Sequence, residues 1–258
     1  NGVVYGGPMY YLKKGFAELK LAGIGKFLAV LFAILCVGGS LGGGNAFQAN
    51  QAAAQIATMR GMKGGAAGFF IVLVLAFVTG IVIIGGIKKI ATVTEKIVPF
   101  MAILYIVASL IIIFAHFSFI DDAFRMIFNE AFSPRAGLGG LMGVLIVGFK
   151  RAAFSNEAGA GSASIAHSAV RTKYPASEGV VSLLEPFIDT VVICTMTALV
   201  IIIFNGDGAM FPYGGDGKGN VVLNATGTST SGVDLTSLAY NDVIPHFSYV
   251  LTVAIVLF

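Results

Sequence analysis

Residues 154–163, which read Phe-Ser-Asn-Glu-Ala-Gly-Ala-Gly-Ser-Ala, place an amide, a carboxylate and two glycines inside a long apolar region. In hydrocarbon every backbone N–H and C=O needs a partner, so an interrupted helix persists there only if it is packed in protein or lines a wet cavity. Interrupted helices of this kind form substrate and ion sites in membrane proteins. The alternative interpretation is a loop between two short helices, with Asn156 and Glu157 as capping residues.

A polar stripe precedes this region. Asn45, Gln48, Ala52 and Gln55 share one face of a helix because of their i, i+3 and i+4 spacing. The glycines within 38–44 would let another backbone approach closely beside it. The stripe predicts either hydrogen bonds between helices near the outer surface or the wall of a water-filled vestibule, with Gln48 nearest to a ligand.

Two carboxylates and a histidine lie in regions where charge is costly. Glu185 and Asp189 are four residues apart and share a helix face, and carboxylates within membrane spans are commonly functional. Glu185 lies near the end of its span, so a structural ion pair with Lys150 or Arg151 explains it equally well. His167 has no second ligand at metal-binding spacing, and we predict a packing or capping role for it.

The composition is that of a membrane protein. Hydrophobic residues make up 57% of the chain and charged residues 11%, and the mean hydropathy is +0.89. The formal charge of +3 is small and dispersed, so nucleic-acid partners are not expected. Cys36 and Cys194 lie in apolar runs, which favours neither a disulfide nor a metal site.

The sequence carries few motifs of enzymatic chemistry. No glycine-rich loop ends in Gly-Lys-Ser/Thr, so the sequence predicts no phosphate-cradling ATPase site. No Ser/His pair at catalytic spacing can be identified, which disfavours an intramembrane enzyme. We therefore expect neither an enzymatic activity nor an organic cofactor.

The apolar runs predict an all-α polytopic membrane protein. The predicted spans are 23–51, 67–87, 97–117, about 137–170, 180–204 and one beginning near 246. Pro99 is expected in the first turn of the third span, where its missing N–H costs little. Residues 118–136 are expected to form an amphipathic surface helix, and residues 205–243, rich in Gly, Asp, Asn, Ser and Thr, an aqueous loop.

The distribution of Lys and Arg predicts the orientation of these spans. One side receives Lys13, Lys14, Lys20, Lys26, Lys88, Lys89, Lys96, Arg171 and Lys173, and the other receives Arg60, Lys63, Arg125, Arg135 and Lys218. The richer side is taken as cytoplasmic and includes an interfacial segment, 1–22. The surface helix 118–136 and the loop 205–243 then face out. We expect residues 1–258 to be one membrane domain that is incomplete at both ends.

Four segments together carry a resemblance that covers most of the chain: 5–11, 43–50, 154–163 with 165–167, and 184–195. On these segments the chain resembles the alanine or glycine:cation symporter family, and the 154–163 block is the most specific part. The resemblance implies a leucine-transporter-like fold with two inverted five-helix repeats. It also implies that the chain covers about the third to the eighth transmembrane helices. Asn156 then falls in the broken sixth helix, and most sodium ligands lie outside the chain.

The resemblance further implies sodium-coupled uptake of alanine or glycine by alternating access in the plasma (inner) membrane, by a protein that is expected to be a monomer. The substrate would be held by Phe154, Ser155, Asn156, Gly159, Gly161 and Gln48. Asn156 is also the candidate cation ligand, and Glu157 is expected to be a structural or gating carboxylate. The expected partners are the amino acid, Na⁺ and the lipid bilayer. The alternative is an ion channel or pore-forming subunit, in which the same break lines a conduction path.

Overall fold

The computed structural model describes residues 5–59, 65–132, 148, 161–206, 208–212, 220–230 and 232–257, and this part of the chain is mostly helical. Among these residues three helices are long and apolar enough to cross a membrane: Ala22–Ala57, Gly86–Ala115 and Pro175–Asn205. Two shorter apolar helices, Gly68–Ile83 and Phe247–Val256, lie where the second and sixth spans were predicted. The observed helices agree with the predicted α-helical membrane protein. Most of the fourth predicted span, 137–170, lies outside the described residues.

The elements follow one another as a series of helices with one small hairpin. The first are α1 Pro8–Glu18, α2 Ala22–Gly39, a π-helix Ser40–Ala46, α3 Phe47–Met59, α4 Gly65–Ile83, α5 Gly86–Ala115, a 3₁₀ turn Phe117–Phe119 and α6 Ile120–Ala131. The later ones are α7 Ala163–His167, α8 Pro175–Ser182, α9 Leu184–Pro186, a second π-helix Phe187–Cys194, α10 Thr195–Asn205, β1 Val221–Val222, β2 Ser229–Thr230, α11 Gly232–Val243 and α12 Phe247–Leu257.

The chain forms two compact units. Unit one comprises Asn1–Phe47 and Leu138–Cys194, and unit two comprises Gln48–Gly137 and Thr195–Phe258. In unit one, α1 packs along α2. Gly25 permits this approach, because a Cβ there would lie 2.6 Å from Phe16 Cβ.

Helix α2 of unit one continues into the π-helix Ser40–Ala46, which contains three consecutive glycines. Glycine weakens α-helical hydrogen bonding, and π-helical turns with i→i+5 bonds arise where the α pattern is disturbed. A Cβ added at Gly42 or Gly44 would meet no atom within 4 Å. The close backbone approach predicted for this glycine run is therefore not present among the described residues.

Unit two has its core where α5, α10, α11 and α12 meet. Helix α10 packs against α5 and α11, and α11 packs against α12. The most deeply buried side chains include Ile112, Val200 and Tyr240, each 0% exposed. The Tyr240 ring stacks on Phe247 with centroids 5.2 Å apart. Aromatic stacking and full burial of apolar side chains are the main stabilising terms at this junction.

One buried hydrogen bond also holds α11 on α5. Ser109 Oγ donates to Tyr105 O at 2.8 Å, so its single hydrogen is committed. The Tyr240 hydroxyl, which contacts the same Ser109 oxygen, is therefore the donor. Burial raises the pKa of Tyr240 further above that of a free phenol, which is protonated at neutral pH in any case.

The predicted start of the third span was wrong. Helix α5 begins at Gly86, so Pro99 lies in the helix interior and not in the first turn. Residues 86–96 remain helical because they include good helix formers such as Lys88 and Glu95. Proline at this position removes one i→i−4 hydrogen bond, which this long helix tolerates.

The segment 205–243, predicted to be an aqueous loop, contains a short hairpin and a helix. Strands β1 and β2 pair antiparallel, with Val221 opposite Thr230, and α11 occupies the last twelve residues. The helix has polar residues on one side, but Ala239 and Tyr240 are fully buried. Its amphipathic pattern was hidden by the polar composition of the whole segment.

Candidate functional site

Most of the predicted substrate site, residues 154–160, lies outside the described residues, and this range includes Phe154, Ser155, Asn156 and Gly159. Gly161 is described and has a φ of +78°, a left-handed conformation that glycine adopts without steric cost. It stands in a turn two residues before α7. A Cβ at Gly161 would lie 3.5 Å from Phe32 Cε2 of α2, which is ordinary van der Waals contact.

His167, at the end of α7, lies between two carboxylates of unit one. Its Nδ1 is 2.6 Å from Glu178 Oε1, and its Nε2 is 4.0 Å from Glu185 Oε2. All three side chains are partly buried, with 29%, 18% and 34% of their surfaces exposed. The predicted packing or capping role stays a prediction, and the structure adds a contact of His167 with Glu178 of α8 and, at longer distance, with Glu185 of α9. Such a charge-assisted contact can hold α7 against α8.

The two carboxylates predicted to share a helix face, Glu185 and Asp189, are both among the described residues. Glu185 Oε2 lies 4.0 Å from His167 Nε2. Its predicted partners, Lys150 and Arg151, lie outside the described residues. Asp189 lies in the π-helix Phe187–Cys194. Sequence reasoning did not identify Glu178, and no spacing signal links it to a histidine eleven residues earlier across a turn.

The residues of the polar stripe differ in solvent exposure along its length. Gln48 is exposed at the start of α3, whereas Ala52 and Gln55 are 5% and 1% exposed. Gln55 Nε2 donates to Ser237 Oγ of α11 at 3.0 Å and to Thr252 Oγ1 of α12 at 3.1 Å. The predicted hydrogen bonding between helices is therefore confirmed at Gln55.

Beside Gln55 lies a cavity of about 430 Å³ within unit two. Most of its lining residues have polar side chains, and they come from α3, the hairpin, α11 and α12: Gln55, Leu223, Thr226, Thr228, Thr230, Asp234, Ser237, Leu238, Asn241 and Ser248. Sequence reasoning missed this cavity because most of its lining falls in the segment predicted to be a loop. Asp234, Ser237 and Asn241 do, however, have the i, i+3, i+7 spacing of one helix face.

No group of three or more His, Cys, Asp or Glu side chains that could hold a metal ion occurs among the described residues. The described polar side chains offer oxygen atoms and amide groups that can coordinate a polar or charged ligand. In addition, the backbone forms a left-handed turn at Gly161.

Comparison with known proteins assigns the chain to a family. The model of the sodium:alanine symporter family matches residues 1–258. The chain belongs to the sodium:alanine symporter family. The predicted resemblance to alanine or glycine:cation symporters is thereby confirmed.

Several curated relatives illustrate the range of this family. The sodium/alanine symporter AgcS of Methanococcus maripaludis is 39% identical over 259 aligned residues, covering 100% of this chain and 52% of AgcS. The amino-acid carrier protein AlsT of Bacillus subtilis is 34% identical over 79% of this chain and 42% of its own length. The sodium/proton-dependent alanine carrier protein of Bacillus sp. PS3 is 35% identical over 60% of this chain and 34% of its own. The chain thus spans about half or less of these relatives.

Proposed function

We propose that this chain is part of a secondary active transporter that couples the uptake of a small amino acid, alanine or glycine, to the entry of sodium. The observation that carries the proposal is the family match along all of residues 1–258. The apolar helices support it, since three of those described are long enough to span a bilayer. Its place would be the plasma membrane, as a multi-pass protein with a leucine-transporter-like fold.

The substrate would bind at the break between residues 154 and 161, where free backbone groups can hold one charged end of the zwitterion. In this proposal Asn156 supplies an amide to the substrate or the cation, and Phe154 limits the size of the side-chain pocket. The left-handed turn at Gly161 supports a break here, because an α-helix cannot continue through a φ of +78°. Alternating exposure of this site to the two sides would then move the substrate across the membrane.

The test is uptake of radiolabelled alanine by the full-length protein in proteoliposomes. We expect accumulation above the external concentration under an inward sodium gradient, and its loss when choline replaces sodium. Undiminished uptake in choline with the proton gradient collapsed would refute sodium coupling. A sodium-independent flux that never exceeds equilibrium would instead identify a channel.

A pair of asparagine variants tests the site within the same assay. Asn156→Ala removes an amide that we place on a charged ligand, and such a bond contributes about 1.5–3 kcal/mol, or roughly 10- to 100-fold in affinity. Asn129→Ala is the matched control, because Asn129 is exposed on α6, away from the break in sequence. Equal uptake by the two variants would contradict the assignment of Asn156.

A further inference from the structure

Two side chains of the cavity lining each carry a buried oxygen atom that has no partner among the described residues. Gln55 Oε1 and Asp234 Oδ1 are both buried and unpaired there, and both side chains line the cavity. Buried polar atoms are almost always hydrogen-bonded, so two such oxygens beside one cavity indicate a missing ligand.

The orientation of Gln55 follows from its neighbours. Thr252 Oγ1 donates its hydrogen to Ser248 O at 2.7 Å, so toward Gln55 it can only accept. The amide nitrogen of Gln55, which donates to Thr252 and Ser237, must therefore face these hydroxyls. The carbonyl oxygen is left as the free group of a side chain that is 1% exposed.

Helix α11 adds a carboxylate and further oxygen atoms to the same cavity. Asp234, Ser237 and Asn241 lie on one helical face, and Ser248 of α12 donates to Asn241 Oδ1 at 3.4 Å. All the polar groups that line the cavity carry oxygen, and none of its lining residues is Lys, Arg or His. The charge of Asp234 is therefore not neutralised by any residue of the lining.

We propose that this cavity binds a small monovalent cation, either a sodium ion or the ammonium group of an amino acid, between Asp234 and Gln55. Oxygen atoms are the ligands that hard cations prefer. One carboxylate with neutral oxygens balances one positive charge, whereas a divalent ion usually receives more acidic ligands. Water alone could donate hydrogen bonds to both oxygens, but it would leave the carboxylate charge unbalanced. The site shares no residue with the predicted substrate site.

The position of the cavity suggests a role at the outer surface. In the orientation predicted from Lys and Arg, the hairpin and α11 belong to a segment that faces out. A cation held there would join α3, α11 and α12, and would stabilise their packing as bound ligands stabilise any folded state.

The test is equilibrium binding of radiolabelled ²²Na⁺ to the full-length protein in detergent, with choline maintaining ionic strength. We expect Asp234→Asn to remove one saturable component, or to weaken it by about tenfold or more. Gln55→Met, which keeps the length but removes the carbonyl oxygen, is expected to act in the same direction. The matched control is Asp242→Asn, since Asp242 is exposed on the same helix and does not line the cavity.

Competition with methylammonium identifies the source of the positive charge. If methylammonium displaces sodium from the wild type but not from Asp234→Asn, the site is assigned to an ammonium group. If methylammonium displaces no sodium from the wild type, the site is assigned to sodium. Identical sodium binding by wild type, Asp234→Asn and Asp242→Asn would overturn the proposal and leave a water-filled cavity. Displacement by calcium at far lower concentration than sodium would overturn the monovalent assignment. Because binding is measured directly, none of these outcomes depends on observing transport.

Discussion

Gly161 has a backbone conformation that favours glycine, and there is room beside it for a methyl group. Its φ of +78° costs any residue with a Cβ about 1–2 kcal/mol, apart from Asn and Asp, which tolerate this region better. A methyl group there would touch Phe32 only at ordinary contact distance. Backbone conformation, and not lack of space within unit one, is therefore the reason for glycine that the structure shows.

Substitutions at Gly161 separate backbone strain from clearance for a substrate. We expect Gly161→Ala to lower the Tm of the detergent-solubilised protein by a few degrees, corresponding to about 1–2 kcal/mol. Gly161→Asn should retain more of the wild-type Tm. Alanine binding is measured on the same samples. A variant with wild-type Tm and no alanine binding would show that clearance matters more than φ.

At the scale of elements, glycines in one long helix have different roles. Gly25 lies where α1 crosses α2, and an added Cβ would lie 2.8 Å from Leu12 O. Gly44, in the π-helix, has no atom near the position of an added Cβ. The two glycines therefore provide a matched pair within the continuous helix Ala22–Ala57.

We expect Gly25→Ala to destabilise the protein by about 1–3 kcal/mol, because backbone atoms must shift. Gly44→Ala is expected to be neutral or to stabilise by roughly 0.5–1 kcal/mol, since alanine favours helix. Thermal unfolding of the two variants in detergent measures the difference. A large loss of stability in Gly44→Ala would show that a segment outside the described residues packs on the π-helix.

At the scale of the whole molecule, the predicted orientation can be tested with single cysteines. In a background with Cys36 and Cys194 replaced by serine, Ala225→Cys in the hairpin and Lys14→Cys on α1 are both exposed. A membrane-impermeant maleimide should label position 225 in intact cells and position 14 only after permeabilisation. The reason is the excess of Lys and Arg on the side that contains Lys14. The reverse pattern of labelling would show that the orientation is inverted.

The sequence alone was sufficient to predict the class of protein and the positions of most of its described apolar helices. Long apolar runs determine membrane helices locally, because each helix satisfies its own backbone hydrogen bonds. The four-segment resemblance also identified the family, which the match along residues 1–258 confirms. Pro99 was misplaced because proline usually marks a helix start, whereas a long helix can contain it.

Only the tertiary structure showed which polar groups meet. Gln55 and Ser237 are 182 residues apart and hydrogen-bonded, and Asp234 lies on the cavity beside them. His167 likewise pairs with Glu178 across a turn that periodicity does not describe. Hydrophobic spacing determines which face of a helix is buried, but the partner of a buried polar group depends on how distant helices pack. A polar composition suggested a loop at 205–243, whereas burial of Tyr240 against α5 and α12 makes its last part a helix.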